Sequence, residues 1–293
     1  MRFLLLMLAL ANADAQFKVD VRLVRLLVNV KNPAGELVGS LDPKEFTVYD
    51  NDVPQEIAVF ERYTTQPLSI AVMIDTSGST RKDLPYEVTS ISKFFSALFG
   101  EGNQRDMAAL YSFNYDVTLL NTFTRRQKVL EDKLKFLRAE GGTSLYDSIY
   151  FAAQELRGRE GRHVMVVVTD GGDTTSGRKY KEALEAAQRA DAVLYPIVVV
   201  PISNDAGRNT GGEHALQTLA SSTGGRWFDP DVGARLDRAF AEILMDLRAQ
   251  YMLGYYPRGG ATDGKAFHTT RVELKRKDLR AFTRTGYYGV ESR

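Results

Sequence analysis

Leu68-Ser69-Ile70-Ala71-Val72-Met73-Ile74 leads without a break into Asp75-Thr76-Ser77-Gly78-Ser79. A short, almost wholly apolar run of this kind is the signature of a strand buried on both faces, as strands of a parallel sheet are. Val164 to Val168 (VMVVV) and Val193 to Val200 (VLYPIVVV) repeat the pattern downstream. Further strands are expected near 106–113, 115–120 and 226–228. Amphipathic helices are expected over 81–99, 125–138, 144–157, 178–190, 213–222 and 232–249. Alternation of this kind predicts an α/β fold over 67–249, a doubly wound and mainly parallel sheet with helices on both faces.

The flanks read differently. Residues 16–66 look all-β: Val19, Val21 and Leu23 alternate, and Leu26 to Val30 is a denser apolar run. Asp42 is placed to cap a short helical turn through Glu45 and Phe46. Thr47–Tyr49 and Glu56–Phe60 read as two arms of a hairpin around Asp50-Asn51-Asp52-Val53-Pro54. The tail, 250–293, carries three more strand-like runs at Gln250–Tyr256, Phe267–Lys275 and Ala281–Tyr288. Neither flank is large enough to bury a core alone, so the two are expected to pack together as one small all-β domain.

Met1-Arg2, the apolar run Phe3–Leu10 and the small-x-small triplet Ala13-Asp14-Ala15 have the form of a secretory signal peptide, residues 1–15, cleaved after Ala15. An extracytoplasmic protein, periplasmic or secreted, is therefore expected. No later apolar run is long enough to span a bilayer, so no integral membrane anchor is expected. The 293 residues contain no cysteine, which excludes thiolate metal sites, cysteine nucleophiles and disulfides. With 38 basic and 37 acidic residues the formal charge is +1, giving no global attraction to nucleic acid or anionic membrane. The basic run Arg271–Arg280 is interrupted by Glu273 and Asp278 and reads as one solvated strand face.

Ligands of open parallel sheets bind beyond the carboxyl ends of the strands, so polar residues there need an explanation. Asp75, Ser77 and Ser79 offer a carboxylate and two hydroxyls in a turn containing Gly78, and oxygen-only donors suit a hard cation. Alone, D-x-S-x-S is a weak signal, since Asp and Ser are ordinary turn residues. Asp170, in Thr169-Asp170-Gly171-Gly172, ends another buried strand. Thr143, in Gly141-Gly142-Thr143-Ser144, opens a helix. Each has a simpler reading, Thr143 as a helix N-cap and Asp170 as an Asp-Gly turn residue.

Together, D-x-S-x-S at 75–79, the GGT threonine at 143 and the TDG aspartate at 170 resemble the von Willebrand factor type A family, over about residues 67–249. The resemblance implies a Rossmann-like fold and a metal-ion-dependent adhesion site. Asp75, Ser77 and Ser79 would coordinate the ion directly, and Thr143 and Asp170 either directly or through water. Mg²⁺ is the first candidate, with Mn²⁺ or Ca²⁺ as alternatives. An open coordination position would accept Asp or Glu from an unidentified protein partner. The signal peptide, VGSLDPKEF at 38–46, PQEI at 54–57, QYMLGYYP at 250–257 and RTGYY at 284–288 are similar to bacterial VWFA-related proteins common in acidobacteria. Asp52 departs from them, replacing a frequent turn glycine.

Asp173, Asn204, Asp205 and Arg208 fall in polar loops expected on the same edge and are candidate rim residues for the partner; a merely solvated loop is the plainer reading of each. A non-enzymatic binding module is the reading adopted. Its rivals are a structural envelope subunit that the metal only rigidifies, and a metal-dependent hydrolase. The latter lacks an HExxH, GxSxG or phosphate-binding loop, and His163, His214 and His268 are not adjacent to the motif.

Overall fold

The structure is a computed structural model that describes residues 23–62, 65–199, 210–230, 232–258 and 267–289. The signal-peptide segment and rim residues Asn204, Asp205 and Arg208 lie outside the described residues. In the α/β part, β5 (Leu68–Asp75), β6 (Met107–Phe113), β7 (Val117–Thr124), β8 (Arg162–Thr169) and β9 (Ala192–Val198) form one sheet. Its order is β7-β6-β5-β8-β9, and every pairing is parallel except β6 with β7. All residues of β5, β8 and β9 are buried, because helices cover both faces.

On one face lie α1 (Leu84–Glu101), α2 (Gln127–Leu134) and α6 (Ala234–Arg248), with Ile91, Phe94, Phe95, Leu130, Phe240 and Ile243 in one core. Each such side chain, fully buried, contributes about 1.5–3 kcal/mol. On the other lie α3 (Leu145–Arg157), α4 (Tyr180–Arg189) and α5 (Thr210–Thr223), packed through Ile149, Ala153, Ala187 and Leu219. The strand expected at 226–228 shrinks to one parallel bridge between Ile197 and Phe228. Pro230 follows two residues later and cannot extend the ladder.

The flanks form two antiparallel four-stranded sheets, each taking strands from both chain ends. β1 (Val24–Lys31), β4 (Ile57–Glu61), β10 (Tyr251–Tyr255) and β12 (Arg280–Phe282) are ordered β12-β1-β10-β4. β2 (Phe46–Asp50), β3 (Val53–Gln55), β11 (Phe267–Leu274) and β13 (Gly286–Tyr288) are ordered β13-β11-β2-β3. Leu26, Val28, Phe46, Val48, Tyr251 and Leu253 fill the space between them.

Two local expectations change. The hairpin arm opposite β2 is Val53–Gln55, whereas Ile57–Glu61 crosses to the other sheet and pairs with β10. The reason is a tight two-residue turn at Asn51 and Asp52, both at positive φ (48° and 62°), with Pro54 tolerated because β3 is an edge strand. Asp42 stands at the N-cap of the short 3-10 turn Pro43–Glu45 but makes no side-chain cap; its carboxylate pairs with Arg62 instead.

The β-sheets sit against the amino edge of the α/β sheet. Arg162, the first residue of β8, donates to Leu247 O (2.5 Å), Gln250 Oε1 (3.2 Å) and Gln66 O (3.2 Å). Asn29 of β1 donates to Asp246 O at 2.7 Å, and Gln250 Nε2 donates to Asn29 Oδ1 at 3.2 Å. The carboxyl edge is left clear of these contacts. Among the described residues, no helix is long and apolar enough to cross a membrane.

Candidate metal centre

Four loops meet at the carboxyl edge, and backbone hydrogen bonds fasten them to one another. Thr76 N donates to Phe113 O (2.8 Å), Glu140 N to Thr76 O (2.8 Å), Gly78 N to Gly141 O (3.0 Å), Ser144 N to Asn114 O (2.7 Å) and Thr174 N to Thr143 O (2.9 Å). The approach is close enough to require glycine. Gly141 holds φ of 81°, and a Cβ on Gly142 would sit 2.6 Å from Thr175 Cγ2. Functional side chains here are therefore carried on a cross-braced frame.

Asp75, the last residue of β5, is 0 % exposed. Its Oδ1 accepts from Ser77 N at 2.8 Å and its Oδ2 from Thr169 Oγ1 at 2.6 Å. Burial pushes its carboxyl up to about 6; hydrogen bonds from Thr169 and Ser77 oppose the rise and the charge of Asp170 adds to it. Asp170, at the end of β8, is also raised by burial, opposed by the nearby Ser79 hydroxyl and reinforced by Asp83. The Ser77 and Ser79 hydroxyls lie 3.1 Å apart. Asp75, Ser77, Ser79 and Asp170 thus come together, with two mutually repelling carboxylates among hydroxyls.

Thr143 is buried two residues before α3, in the loop whose Gly141 O accepts from Gly78 N. It does not cap α3. Ser144 occupies the N-cap position and turns its hydroxyl to Tyr115 O at 2.8 Å. The first-turn amides are satisfied from another loop, Tyr146 N by Asp173 Oδ1 (3.1 Å) and Asp147 N by Ser176 Oγ (3.0 Å). Among the described residues the Thr143 hydroxyl has no hydrogen-bond partner. The rim candidate Asp173 is accordingly engaged with α3 and with Ser176.

The donor set fits a hard divalent cation: two carboxylates, three hydroxyls, no nitrogen and no sulfur. Among the described residues, no three acidic or histidine side chains gather closely enough to hold an ion, so hydroxyls and water must complete any shell. Sequence reasoning missed Thr169, which orients Asp75, although it adjoins Asp170 in the same motif. It also missed Tyr115, 64 % exposed, whose ring lies against Gly141 and Gly142 beside the site.

The family model of the von Willebrand factor type A domain matches residues 69–239. This chain belongs to that family. The type A fold is shared with the vWF domain of the type V pili tip protein Mfa5 from Porphyromonas gingivalis, at TM-score 0.52 and 14% identity, covering 68% of this chain and 99% of that one. It is shared too with BatB from Bacteroides thetaiotaomicron, at TM-score 0.50 and 18% identity, covering 61% and 98%. The pilus adhesin SpaC from Lactobacillus rhamnosus GG aligns at TM-score 0.52 and 10% identity, over 86% of this chain and 48% of that one. No curated protein sequence matches the chain.

Proposed function

We propose that this type A domain protein is an extracytoplasmic binding module that captures an acidic side chain of a protein partner through a divalent cation, Mg²⁺ first, held by Asp75, Ser77, Ser79, Thr143 and Asp170. The observation that carries the reading is Asp75, fully buried beside a second carboxylate and oriented by Thr169 and Ser77. Burying such a group is costly unless a cation compensates it. Two carboxylates balance a divalent ion, and a position left to water would accept a partner's Asp or Glu. The pilus tip protein and pilus adhesin of the same fold lend support to a binding role, and the signal-like N-terminus supports a place outside the cytoplasm.

Histidine placement favours binding over hydrolysis. Both ring nitrogens of His163 face backbone carbonyls, of Ala190 (2.5 Å) and Arg159 (2.9 Å), at the amino edge. His268 lies in the β-sheets against Asp50, 3.0 Å away. Isothermal titration with Mg²⁺, Mn²⁺ and Ca²⁺ tests the metal: wild type should bind and Asp75→Ala should not, and equal binding by both would refute the site. Capture of an envelope protein that persists in EDTA would reduce the cation to a rigidifying role.

A further inference from the structure

Helix α1 leaves the metal loop after Asp83 and presents Leu84, Glu87, Ile91, Phe94, Phe95 and Leu98 to the core. That spacing is the apolar stripe of an amphipathic helix, and Glu87 occupies a position in it where an aliphatic side chain would pack. Glu87 is 0 % exposed, and among the described residues neither carboxylate oxygen has a hydrogen-bond partner. A buried carboxylate without donor or cation is among the least favourable arrangements in a folded protein, and a water, a cation or its own proton relieves it.

Its surroundings say which. After burial, the influences on Glu87 are the negative charges of Asp75, Asp170 and Asp83, in that order, and together they raise its carboxyl well above the usual range. Hydrogen bonds tie the first turn of α1 to the metal loop: Glu87 N donates to Asp83 O (3.1 Å), Asp83 N to Thr80 O (2.9 Å) and Thr80 Oγ1 to Asp75 O (3.3 Å). Among the described residues no positive charge acts on it, and a cation between it and the two aspartates would compensate all three. The carboxylates are too dispersed for three to hold one ion among themselves, so Glu87 does not displace a ligand.

We propose that Glu87 is a positioning residue of the metal centre, an internal carboxylate that stands behind Asp75 and Asp170 and strengthens cation binding by its charge and by accepting from the ion's water. This rests on the metal reading above. Outer partners of this kind typically change metal affinity by about 10–100-fold when removed.

Glu87→Gln keeps the shape and removes the charge. In the full chain, Mg²⁺ and Mn²⁺ affinity by titration should fall about ten-fold or more, while thermal stability in EDTA should be unchanged, because burial already disfavours the charged form of the metal-free carboxyl and glutamine is its neutral isostere. A purely structural glutamate would behave in the opposite way, with lower stability in EDTA and unchanged affinity. Glu87→Leu, which completes the apolar stripe, should give the same loss of affinity and guards against misfolding of the first variant. In crystals of Mn²⁺-loaded wild type, the Glu87 carboxylate should bond to a water on the ion; a carboxylate bonded only to protein would overturn the proposal. If wild type binds and both variants match it within about two-fold, far below the expected loss, only the Glu87 role fails. If wild type itself binds no cation, the metal reading fails, and the Glu87 role with it.

Discussion

At the amino edge of the five-stranded sheet, Asp106 is 2 % exposed and accepts from Leu68 N and Asn103 N, each at 2.8 Å. Arg162 beside it donates to Gln66 O, Leu247 O and the Gln250 side-chain Oε1. At the carboxyl edge, Glu87 is more deeply buried and accepts from no described residue, and Asp75 sits beside another carboxylate. One edge buries charge to join the sheet to the β-sheets below, and its charges are satisfied by the protein itself. The other buries carboxylates that no described basic residue compensates, and compensating them is what the proposed cation would do.

If the contrast is real, the two edges must respond oppositely to cation and pH. The largest effect is expected from pH. Because the Asp75 carboxyl titrates near 6 in the folded chain and near 3.8 when unfolded, the metal-free protein binds the proton more tightly than the unfolded chain. Its contribution to stability is present below 3.8 and is lost as pH rises through 6, a loss of about 3 kcal/mol by neutral pH. Thermal melts in EDTA should show Asp75→Asn gaining stability relative to wild type between pH 4 and 7, and millimolar Mg²⁺ should restore wild type at neutral pH. A difference that does not vary with pH would erase the contrast.

Next in size is the amino edge. Asp106→Ala leaves one buried and one half-buried amide without an acceptor and should cost about 2–3 kcal/mol by denaturant unfolding, with Mg²⁺ affinity unchanged. Any loss of affinity would mean that the edges are coupled. The smallest effect is expected from Thr169→Val, which removes the hydroxyl that donates to Asp75 but keeps the volume. Metal affinity should fall about 10-fold, the lower end of the range for such outer partners, with less than about 1 kcal/mol lost in stability. A larger stability loss than affinity loss would move Thr169 from the site to the core.

Much of this was legible in the chain. LSIAVMI, VMVVV and VLYPIVVV had to be buried parallel strands, because no surface accommodates such runs, and each buried strand's length fixes where its carboxyl end emerges. Asp75 and Asp170 were placed on one edge by that argument alone. The pairing of the flanks followed from their size, although the partner of each strand did not: Glu56–Phe60 reads equally well beside β2 or beside β10, since a half-buried strand pattern names its face and not its neighbour. Glu87 had its own signal, a carboxylate on an apolar helical stripe, readable by counting from Leu84 to Leu98.

The sequence by itself determined the α/β alternation, the edge on which chemistry would gather and the oxygen-only donor set, because these follow from periodicity and residue type, which are local. Only the tertiary structure decided which polar groups have partners. It relieved Thr143 of capping by supplying Asp173 and Ser176 to α3, gave Asp75 its orienting hydroxyl from Thr169, and left Glu87 bare. Whether a buried charge is satisfied depends on groups distant in the chain and adjacent in space, and no local pattern records that.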